Sequence, residues 1–350
     1  MAVSQIDNNG VNLGQLGNRN LIVNSAMQVA QRGTSATGVT TNGYRTCDRF
    51  QLLISDMGTY TVTQESDAPA GFANSFKVNP TTADASPSAG DYLFVAHKLE
   101  GQNLQQLQKG TASAKPVTLS FWVKSYQTGT FQVNMRDEDN ARQIGATYNV
   151  NSSGVWEYKE ITFSGDTTGA FDNDANESSK IEWWLDSGTT FSSGNVPSSW
   201  TSSANGDRNA GSTVNLANNT ANYWQITGIQ LEVGDIATPF EHRSYGDELA
   251  RCQRYYEVIG SAGTGDIVIG GYANNSTFYE TFQFKTEKRA APTVTKNGTW
   301  STGGTGVSQP QVYNSSKILF RGGVSNVTGP GNAYVNNNNS GCNFTADAEL

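Results

Sequence analysis

Three hundred and fifty residues leave room for two or three domains, each large enough to bury a core. Only 15% of them are charged and 37 are Gly, in a chain otherwise rich in Asn, Ser and Thr; this composition disfavours an all-helical protein or a coiled coil. The net charge of −8 argues against nucleic acid as the main partner, and no window approaches the roughly 20 apolar residues of a membrane-spanning helix, so neither nucleic-acid binding nor membrane insertion is expected.

In chain order, Met1 to Asn20 reads as an extended arm. Ile6, Val11, Leu13 and Leu16 are scattered among Asn and Gly without helical or strand period, and such a segment cannot form a core. Met1 to Gly17 also lacks the basic and apolar regions of a signal peptide, so assembly in a cytoplasm is expected.

From residue 21 to 243, short alternating runs separated by turn clusters predict an antiparallel, jelly-roll-like β-sandwich. The runs are Asp48 to Ser55, Gly58 to Gln64, Asn74 to Asn79, Asp91 to Glu100, Val117 to Lys124, Thr130 to Met135, Val155 to Phe163, Lys180 to Asp186 and Asn222 to Val233. In the run from Val117, the residues Val117, Leu119, Phe121 and Val123 share one face, with Thr118, Ser120, Trp122 and Lys124 on the other. Two long turn-rich connections interrupt the pattern, Thr81 to Gly90 and Ser187 to Thr220, the second carrying Trp200.

Tyr245 to Val258 breaks the β texture. Leu249, Cys252 and Tyr256 recur at helical spacing, with Asp247 and Glu248 early and Arg251 and Arg254 late, so a linking helix is expected over 244–259. A smaller C-terminal β domain, 260–350, should follow, with strands at Asp266 to Gly270, Ser276 to Lys285, Pro292 to Lys296 and Lys317 to Arg321, and with Gly329 to Ser340 as loop. Residues 1–250 carry net −10 and residues 251–350 net +2, a shift that also marks a boundary near 250.

The chemistry is sparse. Cys47, Cys252 and Cys342 form no disulfide framework and no C-x-x-C, and with only His97 and His242 a Cys/His metal site is not expected. No G-x-S-x-G is present, and His97 sits in an alternating strand rather than in a triad context. The pairs Glu157 with Glu160 and Glu182 with Asp186 read as solvated strand faces rather than as glycosidase carboxylates. Asp172 to Glu177 reads as a polar turn; Asp172, Asp174 and Glu177 would be the ligands of a structural Ca²⁺, although the EF-hand glycine is missing. No other cofactor is expected, and no enzymatic activity.

What remains is aromatic. Ten per cent Phe, Trp and Tyr in a low-charge β protein suits carbohydrate, whose apolar faces stack on rings. Trp122, Trp156, Trp183, Trp184 and Trp224 lie in strands, where most should be core. The candidate sugar-contacting residues are therefore Trp200 in its loop and Tyr272, Tyr279, Trp300 and Tyr313 in the C-terminal domain. If Phe278, Phe282 and Phe284 pack the core, Tyr279 points outward.

Three blocks carry a family resemblance: GNRNLIVNSAMQVAQRGTS at Gly17 to Ser35 with CDRF at Cys47 to Phe50; HKLEGQNLQQLQKGTASAKPVTLSFWVKSYQTGTFQV at His97 to Val133; and NYWQITGIQLEVGDIATPFEHRSYGDELARCQRYYE at Asn222 to Glu257. The chain resembles tail-fibre and appendage proteins of tailed bacteriophages, common in marine and cyanobacterial phages, with β-sandwiches like carbohydrate-binding modules. The resemblance implies a virion protein that recognises host surface polysaccharide during adsorption. It implies a homotrimer, joined through the N-terminal arm to other tail or baseplate proteins, with the C-terminal domain as distal tip. The alternatives are a purely structural capsid fibre, adaptor or baseplate protein, and a polysaccharide depolymerase.

Overall fold

The computed structural model describes residues 17–260, 267–274, 277–304, 306–328, 330–337 and 341–350. The expected arm up to Leu16 lies outside the described residues. The chain divides into two units, Met1–Glu248 and Leu249–Leu350.

Period-two alternation builds the first unit. Its strands are β1 (Ser35–Val39), β2 (Gly43–Tyr44), β3 (Phe50–Ser55), β4 (Thr59–Glu65), β5 (Ser75–Thr82), β6 (Tyr92–Glu100), β7 (Val117–Ser125), β8 (Gly129–Asp137), β9 (Arg142–Val150), β10 (Glu157–Phe163), β11 (Glu177–Ser187), β12 (Thr201–Ser202) and β13 (Trp224–Val233). They form a six-stranded sheet, β1-β4-β5-β13-β7-β10, and a seven-stranded sheet, β12-β9-β8-β11-β6-β3-β2. Successive strands from β5 to β8 alternate between the two sheets, giving an antiparallel jelly-roll sandwich. Val117, Leu119, Phe121 and Val123 are buried between the sheets with Phe50, Phe131, Ile181, Trp183 and Trp224. Each large apolar side chain so buried contributes roughly 1.5–3 kcal/mol.

All nine expected runs of the sandwich form strands. The sequence reading missed β9, although Ile144, Tyr148 and Val150 alternate inward along it. Gly145 and the polar residues between them diluted the signal. The last residues of the expected arm, Asn18, Arg19 and Asn20, belong to the sandwich edge: their backbone N–H groups donate to the Glu241 carboxylate at 2.8–2.9 Å.

The expected helix is shorter than 244–259. A helix spans Tyr245–Gln253, with Ser244 Oγ accepting from the Asp247 N–H as its N-cap. The chain then turns extended as β14 (Tyr256–Ile259), because its aromatic and β-branched residues find a strand partner in β22 (Asn343–Asp347).

The second unit holds three three-stranded sheets. They combine β14 with β15 (Val268–Asn274), β16 (Phe278–Gln283), β17 (Thr293–Asn297), β18 (Ser301–Gly303), β19 (Gln311–Ser315), β20 (Leu319–Val324), β21 (Pro330–Asn336) and β22, in the orders β14-β22-β17, β15-β21-β18 and β16-β20-β19. Gly329 to Ser340 is therefore not simply loop: Ala333 and Val335 turn inward from β21 to the core with Ile269, Phe320 and Phe344. Lys288 is buried there against Glu257, Nζ to carboxylate 2.5 Å.

Candidate aromatic binding cleft

The sandwich offers two outer sheet faces, and they differ. On the seven-stranded sheet, Phe94, Trp184 and Phe191 form a second apolar cluster under the segment that follows β11. Arg208 from that segment lies 4.8 Å from the Trp184 ring centre and pairs with Glu182 at 2.7 Å. Gln132 Nε2 donates to the Asp207 carbonyl and Asn134 Nδ2 to that of Arg208, both at 2.7 Å. The long connection thus covers this face with satisfied polar contacts. Trp200, from the same connection, is not on this face: it is half-buried against the core between the sheets, and its indole N–H donates to the Ser164 carbonyl at 2.7 Å. The Lys109 ammonium sits 5.3 Å from the centre of its ring.

The six-stranded sheet is open where β7 and β10 pair. Alternation turns Ser120, Trp122 and Lys124 outward on β7, and the register sets Tyr158 beside Trp122 and Glu160 beside Ser120. The Trp122 and Tyr158 rings lie 5.3 Å apart and form a floor, with Tyr158 41% exposed. The β4–β5 connection and the segment after β13 raise a wall of Phe72, Phe240 and His242, with centroid separations of 4.8–5.5 Å. Together they enclose a cleft of about 390 Å³, within the roughly 300–1,000 Å³ of small-ligand sites.

A bulge in β13 makes the wall fit. Register slips between Thr227 and Gln230, and Gly228 there has φ +61°. A Cβ on Gly228 would stand 2.6 Å from Phe72 Cζ, so only glycine lets that ring lie against the backbone. Both wall segments are tied down. Thr227 Oγ1 donates to the Asn74 carbonyl at 2.6 Å, and the Glu241 N–H to Gln230 Oε1 at 2.8 Å. Such anchoring lowers the ordering cost of binding.

Polar groups edge the floor. Burial pushes the Tyr158 phenol up, the charges of Glu160 and Glu232 adding to it against the hydrogen bond with Ser120, so it stays a neutral hydroxyl. Two residues along the chain from Tyr158 and Trp122, about 7 Å away, Trp156 just before β10 and Lys124 on β7 continue the strip. Trp156 Nε1 donates to Asp67 at 3.3 Å and Lys124 Nζ at 2.6 Å. Burial alone would raise Asp67, but these donors outweigh it and hold the carboxylate below its ordinary range.

The sequence-predicted residues land in four different settings. Trp200 is half-buried against the core of the sandwich, its indole N–H taken by Ser164. Trp300 is a correction: it is 2% exposed, a core residue of the second unit against Phe344, because its indole N–H finds the Asn297 carbonyl locally and leaves the ring free to pack. The Tyr272 side chain lies outside the described residues. Tyr279 and Tyr313 are exposed and in mutual contact. Asp174 binds Asn176, and Glu177 pairs with Lys98 and Lys180; among the described residues no group of three His, Cys, Asp or Glu is arranged to hold a metal. Sequence reasoning missed the cleft. Alternation alone turns Trp122 to the polar face of its strand, although tryptophans in strands are expected mostly in the core.

No protein-family profile and no curated protein matches the sequence. Among solved structures, the chain is similar to the enzymatically active domain of bacteriophage CBA120 tailspike protein 4 (13% identity, TM-score 0.32, covering 61% of this chain and 21% of that one). It is also similar to the family 11 carbohydrate-binding module of a Clostridium thermocellum cellulase (14% identity, TM-score 0.29, 58% and 99% covered). A tandem CBM22 pair from Paenibacillus barcinonensis Xyn10C gives 9% identity and a TM-score of 0.28 over 91% and 100%. The matched part thus spans about a fifth of the tailspike chain.

Proposed function

We propose that this chain is a non-catalytic saccharide-binding protein whose ligand lies in the cleft of Trp122, Tyr158, Phe72, Phe240 and His242. The observation that carries the reading is the open, half-exposed aromatic floor in a sandwich whose other outer face is covered. Rings take the apolar face of a sugar, while the Tyr158 hydroxyl with Glu160 beside it, and Ser120 and His242 in the lining, can serve its hydroxyls. Each contact is weak, so repetition of the site in an oligomer would raise avidity without new contacts.

The resemblance of the three sequence blocks supports a finer reading: an appendage of a tailed-phage virion, trimeric, that adsorbs to host surface polysaccharide. The test is a glycan array probed with the full chain, then with Trp122→Ala and Tyr158→Ala. Binding lost in both variants, with unchanged thermal unfolding, is the expected result. Equal binding by the variants would remove the cleft from the function. For the virion role, antibody against the purified chain should block adsorption, and light scattering should give three times the chain mass; free adsorption in the presence of the antibody would leave a structural role.

A further inference from the structure

We infer that the outer face of the β16-β20-β19 sheet is a second saccharide surface, one that takes an anionic sugar. The inference rests on the proposed function only for the class of ligand. Tyr279 is 55% exposed and Tyr313 41%, and their rings meet edge-on at 4.8 Å. Two large exposed rings in contact on a sheet face are a platform, not scattered surface hydrophobics. The sequence builds it in two ways. Tyr313 sits where β19 slips register against β20, between Val312 and Asn314, and such a bulge re-aims a side chain. Opposite Tyr279 stands Gly323, where a Cβ would come within 2.7 Å of Tyr313 Cε2 and 3.0 Å of Tyr279 Cδ1. Bare backbone at Gly323 is what lets the two rings converge.

The surroundings choose the ligand's charge. Register sets Tyr279, Gly323 and Gln311 in one row and Thr281, Arg321 and Asn314 in the next. The guanidinium of Arg321 lies 5.6 Å from the Tyr279 ring centre. It is exposed and makes no ion pair among the described residues. These two rows contain no carboxylate, since alternation turns Glu280 to the opposite face. Residues 251–350 carry net +2 against −10 for the rest, so an acidic polymer meets less repulsion here than on the sandwich. A sugar ring on Tyr279 would bring an acid group to Arg321, whose planar fork suits a carboxylate, with Gln311 and Asn314 for hydroxyls.

The test is affinity electrophoresis of the full chain in native gels containing alginate, a polymer of uronic acids, or dextran, a neutral one. Alginate should retard the wild type, and Arg321→Gln and Tyr279→Ala should each weaken that retardation about tenfold in apparent affinity. The same two substitutions are repeated in a Trp122→Ala chain, where the cleft no longer contributes; the same loss is expected there. Retardation by alginate that survives Arg321→Gln in both backgrounds overturns the inference and leaves the cleft untouched. Absence of any alginate retardation of the wild type overturns it as well. So does a fall in molar mass by light scattering in Tyr279→Ala with alginate retardation unchanged, which would make this face a contact between copies of the chain.

Discussion

Between about pH 5 and 6.5 the stability of the first unit should be nearly flat, because two buried groups cancel. Asp186 is 1% exposed and pairs with no cation among the described residues. Burial pushes its carboxyl up to about 7, the Asp84 charge adding to the effect, against N–H donors from Ala217 at 2.9 Å and Ser187 at 2.8 Å. A raised carboxyl favours the folded state below its unfolded value, and that stability is lost as pH rises toward 7. His97 runs the other way. It is fully buried, and burial with the nearby Arg49 charge holds it well below the ordinary histidine value. The folded protein keeps it neutral, so stability is lost as pH falls through the unfolded value near 6.5. Each slope is about 1.4 kcal/mol per pH unit, or roughly 1.5–2 kcal/mol over this window. Asp186→Asn should therefore unmask a stability that rises with pH, and His97→Gln one that falls. Urea unfolding followed by tryptophan fluorescence reads this unit, which holds all of the seven tryptophans except Trp300. The slopes matter, not the absolute cost of either substitution. A flat profile in Asp186→Asn, or the same sign in both variants, would refute the reasoning.

Three further outcomes follow from named contacts. Gly228→Ala puts a Cβ into Phe72 at a positive φ, and should cost about 1–3 kcal/mol in thermal or urea unfolding while weakening saccharide binding at the cleft. Lys109→Ala should cost about 3–5 kcal/mol, because it strips the ammonium 2.5 Å from Asp137 and 3.1 Å from Asp166, both buried carboxylates; circular dichroism melts would show it. Cys47, Cys252 and Cys342 are all buried, and burial pushes the Cys47 thiol far up, so a thiol reagent such as DTNB should find none in the native chain and three after denaturation.

Much of the sandwich was legible in the sequence because one buried face forces period two on each strand. Val117, Leu119, Phe121 and Val123 follow it into the core, and the same rule put Tyr279 outward correctly. Strands with small or polar inward neighbours, such as β9 and β21, carry a weaker version of that signal. The helix ended early because a strand partner nearly 90 residues away captured Tyr256 to Ile259, and no local pattern announces such pairing. The candidate site was half legible. Trp122 could be turned outward from alternation alone, but Phe72, Phe240 and His242 come from two connections that meet only in three dimensions. Trp200 was hidden for a different reason: a long polar loop gives no sign that it packs back on the sandwich and half-buries that ring.

The most direct measurement is a crystal structure of the full chain with an oligosaccharide selected from the array. A sugar ring packed on Trp122 and Tyr158, beside the wall of Phe72, Phe240 and His242, is the predicted result. Saccharide bound only elsewhere on the first unit, with the Trp122–Tyr158 floor empty, would contradict it.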